Sequence, residues 1–395
     1  VQALRVVVFL LAFAATGAAH AQTFFGTVGD GVTVGVDRGS TVLLPDVDVP
    51  TGFVTFDTYG SEDIGPDIGS LSFALPDALS TGDQFDILGL LAGSVTEGET
   101  ELVAGGVGYR FPLDGEALSG FVNADYADVV LGGDVNRALD AKGSRANLSF
   151  GVRRVWEISE ISDVEGTVEL RARHSSGDIL GRQVLDENLR ILRAAVLYES
   201  GVPFGFRKRA AVGVAKGLDG LGSSEEGEVT NSIPGASPTF LRVSLAGEAS
   251  LPLSERWVVN GGIAGQWADA TLPLSERCGY GTNAYSRGFD VTLVNGDKCL
   301  GSRIEGAYFL RIPSMTNPAA PIVQGFAGLD FGGIWNVGNI YVPADSQTWS
   351  SATIGVRAMT TRTVAEITVS RILDDFTGII PQDETRVWFR LASRF

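Results

Sequence analysis

Val164-Glu165-Gly166-Thr167-Val168-Glu169-Leu170-Arg171-Ala172-Arg173 alternates at every step. Successive side chains of an extended strand point to opposite sides. Val164, Gly166, Val168, Leu170 and Ala172 therefore share one face, and Glu165, Thr167, Glu169, Arg171 and Arg173 share the other. In lipid the charged set must turn away from the bilayer, because a charge near the midplane costs on the order of 2 to 4 kcal/mol. The stretch after Phe240 repeats the pattern, with Leu241, Val243 and Leu245 against Arg242, Ser244 and Glu248. Such strands imply a closed barrel with a water-filled or loop-filled interior.

The composition agrees. Of 395 residues 51 are glycine, 44% are hydrophobic and only 19% are charged, yet no run beyond the first twenty or so residues is long enough for a membrane helix. From Thr51 onward strand candidates lie near 51–61, 67–76, 83–94, 99–111, 116–128, 142–157, 163–175 and 186–200. Further candidates lie near 203–217, 238–251, 255–268, 301–312, 321–335, 347–359, 362–373 and 385–395. The expected fold is all-β: a transmembrane antiparallel barrel of about sixteen strands, outer-membrane type, over residues 51–395 and monomeric. Leu79 to Asp83, Pro112 to Gly115 and Gly201 to Pro203 read as tight turns. Leu218 to Ser237, with Glu225, Glu226 and Glu228 as a solvated face, reads as a long loop at the opposite end.

Residues 1–21 read as a signal peptide, with Arg5 ahead of an apolar core and Ala19-His20-Ala21 at the exit. Residues 22–50 are too few for a domain with its own core and are expected as a periplasmic tail or a small lumenal insert. The formal net charge of −17 argues against nucleic acid as a partner. Removal of His20 with the signal leaves His174 as the single histidine, so histidine-based catalysis, a metal site and a cofactor are not expected. Gly217-Leu218-Asp219-Gly220-Leu221-Gly222 resembles a phosphate loop superficially, but it follows a membrane-type strand and opens no helix.

Tyr285-Ser286-Arg287-Gly288-Phe289-Asp290 sits in a polar loop bounded by Cys278 and Cys299, the two cysteines of the chain. A loop of about thirty residues in a compact protein is usually functional or disordered. An even pair of cysteines in an exported chain reads as a disulfide, constraining the loop by roughly 3 kcal/mol. A metal would want more ligands, and a catalytic thiol a nearby histidine. One expectation is that the loop folds back into the lumen and Arg287 pairs with Asp330 of Gly328-Leu329-Asp330-Phe331-Gly332. The other is an external loop with a solvated arginine. At the end of the chain Val387, Phe389, Leu391 and Phe395 share one face against Arg386, Arg390 and Arg394. Phe389, Leu391 and Phe395 resemble the recognition signal of outer-membrane barrels.

These residues together resemble the TpsB transporters of two-partner secretion, the haemolysin secretion/activation proteins, which share a superfamily with the central subunit of the barrel-assembly machinery. The family has sixteen strands and a long sixth external loop, between strands eleven and twelve, that enters the lumen with a Val-Arg-Gly-Phe/Tyr motif. Ser286-Arg287-Gly288-Phe289 matches it with serine in place of valine, and Asp330 matches the aspartate that the arginine contacts. Gly296-Asp297, Arg303-Ile304-Glu305, Phe56 to Gly65, Leu75 to Asp83 and Tyr109 to Leu113 resemble further family segments in order. The resemblance implies a non-enzymatic outer-membrane pore that passes an unfolded TpsA-like exoprotein to the cell surface, gated by the Arg287 loop. Its implied partners are outer-membrane lipids and the barrel-assembly machinery. Family members carry a plug helix, a linker and two POTRA domains before the barrel, for which residues 22–50 have no room. Substrate capture is then expected to be lost, supplied by a separate periplasmic POTRA-like protein, or reduced to the barrel mouth. A passive channel or structural barrel that has lost transport is the second reading.

Overall fold

Alternation of the kind found at Val164–Arg173 recurs along the chain until the sheet meets itself. The structure, a computed structural model, describes residues 48–61, 63–115, 117–202, 206–280, 287–289, 294–311, 321–341, 344–360, 362–374 and 385–395. The expectations for 1–21, for 22–47 and for Ser286 lie outside the described residues.

The first strands are β1 (Thr51–Asp57), β2 (Asp67–Pro76), β3 (Gln84–Ser94), β4 (Glu99–Asp114), β5 (Leu118–Val130) and β6 (Lys142–Ser159). Then come β7 (Ser162–Ile179), β8 (Arg182–Val202), β9 (Phe206–Gly217), β10 (Leu241–Pro252) and β11 (Trp257–Ala268). An excursion holding the short pair β12 (Cys278–Tyr280) and β13 (Val294–Gly296) follows. The last five are β14 (Lys298–Arg311), β15 (Ile322–Trp335), β16 (Ser346–Met359), β17 (Thr363–Asp374) and β18 (Thr385–Arg394). Neighbours pair antiparallel, β11 pairs with β14, and β18 returns to β1 with Phe53 opposite Arg394 and Asp57 opposite Arg390. The described strands thus close a barrel of sixteen, with β12 and β13 apart.

Each sequence candidate has its strand, with several boundaries shifted by up to four residues, and three of the shifts change how a segment is read. β1 stops at Asp57, which leaves Tyr59 to Ser61 in a loop. Gly201 and Val202, read as a turn, are the last residues of β8. Pro112 to Asp114 belong to β4, where the register slips between Pro112 and Asp114; an irregular strand end accommodates a proline that cannot donate to the ladder. The turn after β2 lies where the sequence places it. There Asp83 accepts from the Leu79 and Ser80 amides and from the Tyr109 hydroxyl at 2.8 Å. Burial pushes its carboxyl up, but these donors hold it below the ordinary range.

Outward positions such as Leu71, Ile87, Phe150, Val196 and Ile354 are exposed, whereas Ser72, Asp86, Ser149 and Thr353 beside them are buried inside. An apolar outer band on a closed barrel fits lipid on one side of each strand. Aromatic rings sit near the strand ends: Trp257 against Tyr308 at 5.0 Å, and Lys298 over Trp267 at 5.6 Å near the other rim. Amphipathic rings of this kind favour the membrane interface.

The interior departs from the simple polar lumen. Leu88 and Leu90 of β3, Leu102 of β4 and Val129 of β5 pack under Ile233 and Leu274 as one buried apolar cluster. The connections after β9 and β11 fold inward and cover this part of the wall, so these inward positions face protein rather than water. The corresponding sequence signal is β3 itself, where Ile87, Leu88, Leu90 and Leu91 are apolar on both faces.

An arginine at Ile354, midway along β16 and exposed outward, is expected to destabilise the barrel by about 2 to 4 kcal/mol, whereas Val95→Arg in the β3–β4 connection should be nearly neutral. Urea unfolding in lipid vesicles measures both; equal effects would contradict a lipid-facing Ile354.

Candidate functional site

The lumenal wall of β14 to β17 is crowded with ions. Arg303 and Glu305 alternate with outward Ile304 on β14, Asp330 faces in from β15, Arg357 from β16 and Glu366 from β17, all nearly fully buried. Strand periodicity places every one of them inside, and the register sets Arg303 directly opposite Asp330 and Arg357 opposite Glu366.

Arg287 enters this wall from the loop between β13 and β12 and is 1% exposed. Its Nη1 donates to Glu305 Oε2 at 2.9 Å, its Nε reaches Asp330 Oδ2 at 3.4 Å, and its backbone amide donates to the same oxygen at 3.1 Å. Arg303 Nε donates to Asp330 Oδ1 at 2.8 Å. Arg357 bonds Glu366 at 2.5 Å and Glu305 at 3.4 Å. The six side chains form an alternating row: Arg303, Asp330, Arg287, Glu305, Arg357, Glu366. Within β14 to β17 the three carboxylates face two guanidiniums, and Arg390 of β18 stands opposite Glu366; Arg287 is the cation that bridges Glu305 and Asp330. The Phe326 ring lies 4.5 Å from the Arg357 guanidinium and 5.6 Å from that of Arg287, a placement that favours cations over an aromatic face. The expected pairing of Arg287 with Asp330 is present, but Asp330 is shared with Arg303, and the shorter side-chain contact of Arg287 is to Glu305.

Two glycines make the approach feasible. A Cβ at Gly328 would stand 2.9 Å from Arg287 Nη2 and from the Ile304 carbonyl, and one at Gly288 would stand 2.9 Å from Ser351 Cβ. Phe289 is buried edge-on to Trp349 at 6.4 Å. The Arg287 carbonyl accepts from the Trp388 indole at 2.7 Å, and Tyr59 stacks on that indole at 5.1 Å. The loop tip thereby touches β18 and the segment that follows β1.

The base of the loop is fastened separately. Glu276, in the short 3-10 turn Leu274–Glu276, accepts from Arg173 Nη1 of β7 at 2.6 Å and lies 3.2 Å from Arg242 Nη1 of β10. Asp297 accepts the Leu272 amide with one oxygen and the Val337 amide with the other, each at 2.8 Å, and lies 3.2 Å from Arg277 Nε. Cys278 and Cys299 form a disulfide beside the β12–β13 ladder, in which Cys278 faces Gly296.

Of the residues singled out from sequence, Arg287, Gly288, Phe289 and Asp330 come together in the lumen, and Cys278 pairs with Cys299. Phe389, Leu391 and Phe395 point outward, and Phe395 exchanges backbone hydrogen bonds with Gly52 at 2.9 Å. His174 lies on the outer face, 3.7 Å from Asp186. Sequence reasoning missed Glu276, Trp388, Tyr59 and Arg357. Trp388 carried a signal, since it shares the inward parity of Arg386 and Arg390; Glu276 sits in no periodic pattern.

Gly288→Val is expected to force the tip off the wall at a steric cost of about 1 to 3 kcal/mol. Trypsin should then cut at Arg287 in folded, heat-modifiable barrels, and unchanged protection would show that the tip does not need the glycine.

Comparison with known proteins agrees with this fold. CdiB from Escherichia coli superimposes with a TM-score of 0.72 at 17% identity, covering 89% of this chain and 64% of that one. CdiB from Acinetobacter baumannii gives 0.65 at 15% identity, covering 89% and 61%. BamA from Haemophilus ducreyi lacking POTRA domains 1-3 gives 0.60 at 11% identity, covering 97% and 78%. The chain thus spans less than two thirds of the two CdiB chains. No curated protein sequence matches it. The family model for haemolysin secretion/activation proteins matches residues 46–358, most of the described barrel. The chain belongs to the ShlB/FhaC/HecB family of haemolysin secretion/activation proteins.

Proposed function

We propose that the protein is a bacterial outer-membrane pore that passes an unfolded exoprotein to the cell surface, and that the loop carrying Arg287 closes it. Family membership supports secretion, and the apolar outer band with aromatic rims supports a place in lipid. The observation that carries the gate is the row of six ions, in which the loop supplies the cation that bridges Glu305 and Asp330. Removing one partner of a buried ion pair strands its neighbour's charge, whereas an intact pair holds a specific geometry. The closed state is therefore specific and conditional on a single side chain.

No bond chemistry is needed for this role. Phe389, Leu391 and Phe395 would address the barrel-assembly machinery, and the exoprotein would be the transported partner. Capture in the periplasm would fall to a separate POTRA-like protein or to the barrel mouth.

Arg287→Ala should weaken the closed arrangement by about 3 to 5 kcal/mol, a shift of about two to four orders of magnitude toward the open form. Planar-bilayer recordings should show larger and noisier conductance than wild type. Steady conductance indifferent to Arg287 would favour a passive channel instead.

A further inference from the structure

The wall opposite the Arg287 site is built from the other charge. On the inward face of β6 to β10, Arg145, Arg171, Arg173, Arg193 and Arg242 lie on neighbouring strands. The register sets Asn147 opposite Arg173, Glu169 opposite Arg193, and Ala215 opposite both Arg193 and Arg242. Arg171 is occupied by Glu169 at 3.0 Å. Arg173 donates to Asn147 at 2.8 Å and to Glu276 at 2.6 Å, and Arg242 shares the Glu276 carboxylate.

Arg145 is different. It is 2% exposed, and among the described residues its Nε and Nη2 have no hydrogen-bond partner. Asp125 and Glu276 attract it from a distance, while Arg171 and Arg173 repel it. A buried guanidinium without acceptors is costly, and such groups in native proteins are normally satisfied. A cavity lined by Thr167, Glu169, Arg193, Arg242 and Ser244 opens against the same wall.

Glu276 does not belong to the wall. It arrives on a three-residue 3-10 turn of the same loop that carries Arg287. Arg173 Nη1 also donates to the Ser275 carbonyl at 2.9 Å, so this arginine reads both a carboxylate and the backbone beside it. That combination is what an acidic peptide offers at every glutamate or aspartate. Bidentate guanidinium forks are suited to planar carboxylates.

We propose that Arg145, Arg173 and Arg242 form a lumenal binding site for the carboxylates of an acidic polypeptide segment, with Glu276 as its resident intramolecular ligand. The proposal rests on the reading that the lumen conducts polypeptide. When the loop withdraws, Arg173 and Arg242 lose the acceptor they share, while Arg145 already has two nitrogens without one. An acidic stretch in transit replaces Glu276, and the loop and the passenger compete for one site.

The test uses the purified full chain in planar bilayers, with short poly-L-glutamate and poly-L-lysine as probes. In Glu276→Gln, poly-L-glutamate is expected to block the current at a concentration about tenfold lower than in wild type, with poly-L-lysine unchanged. Adding Arg145→Gln should abolish that gain, and Arg173→Gln in the same background provides a second probe should the first variant fail to form a heat-modifiable barrel. Equal gains for both peptides, no gain, or a gain that survives the loss of both arginines would overturn the site. Surface exposure of an exported polypeptide is scored separately. Arginine-dependent block without export keeps the site and removes the transport reading; export without such block removes the site alone.

Discussion

Asp330 and Glu305, buried carboxylates on neighbouring strands, are bridged by a cation that a loop brings to the wall. Desolvated ions of this kind are stable only as an alternating, hydrogen-bonded set, and in this barrel the loop carries the member that bridges Asp330 and Glu305. Much of the local structure serves that insertion. Gly288 lets the backbone come within contact of Ser351, Gly328 leaves a notch for the guanidinium, and Trp388 satisfies the Arg287 carbonyl. Arginine suits the task because it stays charged and offers a planar fork that can serve two carboxylates together.

The loop meets the barrel with both signs of charge. Arg287 completes the acidic wall of β14 to β17, and Glu276 completes the arginine-rich wall of β6 to β10. A duplicated peptide makes the role of context plain. Leu251-Pro252-Leu253-Ser254-Glu255-Arg256 and Leu272-Pro273-Leu274-Ser275-Glu276-Arg277 are identical in sequence. The first runs from the end of β10 into a solvent-facing turn, with Leu253 63% exposed; in the second Leu274 is 2% exposed and Glu276 is clamped by arginines. Six residues with one composition have two fates, decided by what surrounds them.

The same contrast explains what the sequence could disclose. Period-two alternation is imposed residue by residue by the lipid outside, so β7, β10 and the rest were legible, and with them the inward parity of Asp330. The Arg-Gly-Phe motif and the Gly-Leu-Asp-Phe-Gly strand made the Arg287 contact legible by resemblance. Glu305 as a second partner, Arg357 as its bridge and the inward fold of the connections over Leu88 and Leu90 were not. These depend on register between strands and on loop trajectories that no local pattern encodes. The boundaries of β1, β4 and β8 moved for a related reason: cross-strand pairing, rather than propensity, decides where a ladder stops.

The disulfide sets a leash. Arg287 is seven residues from Tyr280 and seven from Val294, the inner ends of the β12–β13 ladder that Cys278 and Cys299 brace. Seven extended residues span at most about 25 Å, so a detached tip remains within that radius while the ladder holds. Its return is then an intramolecular encounter at an effective concentration on the order of millimolar. On the proposed gating, a passenger that expels the tip would meet a competitor that never diffuses away, and once the lumen empties, resealing would require no search.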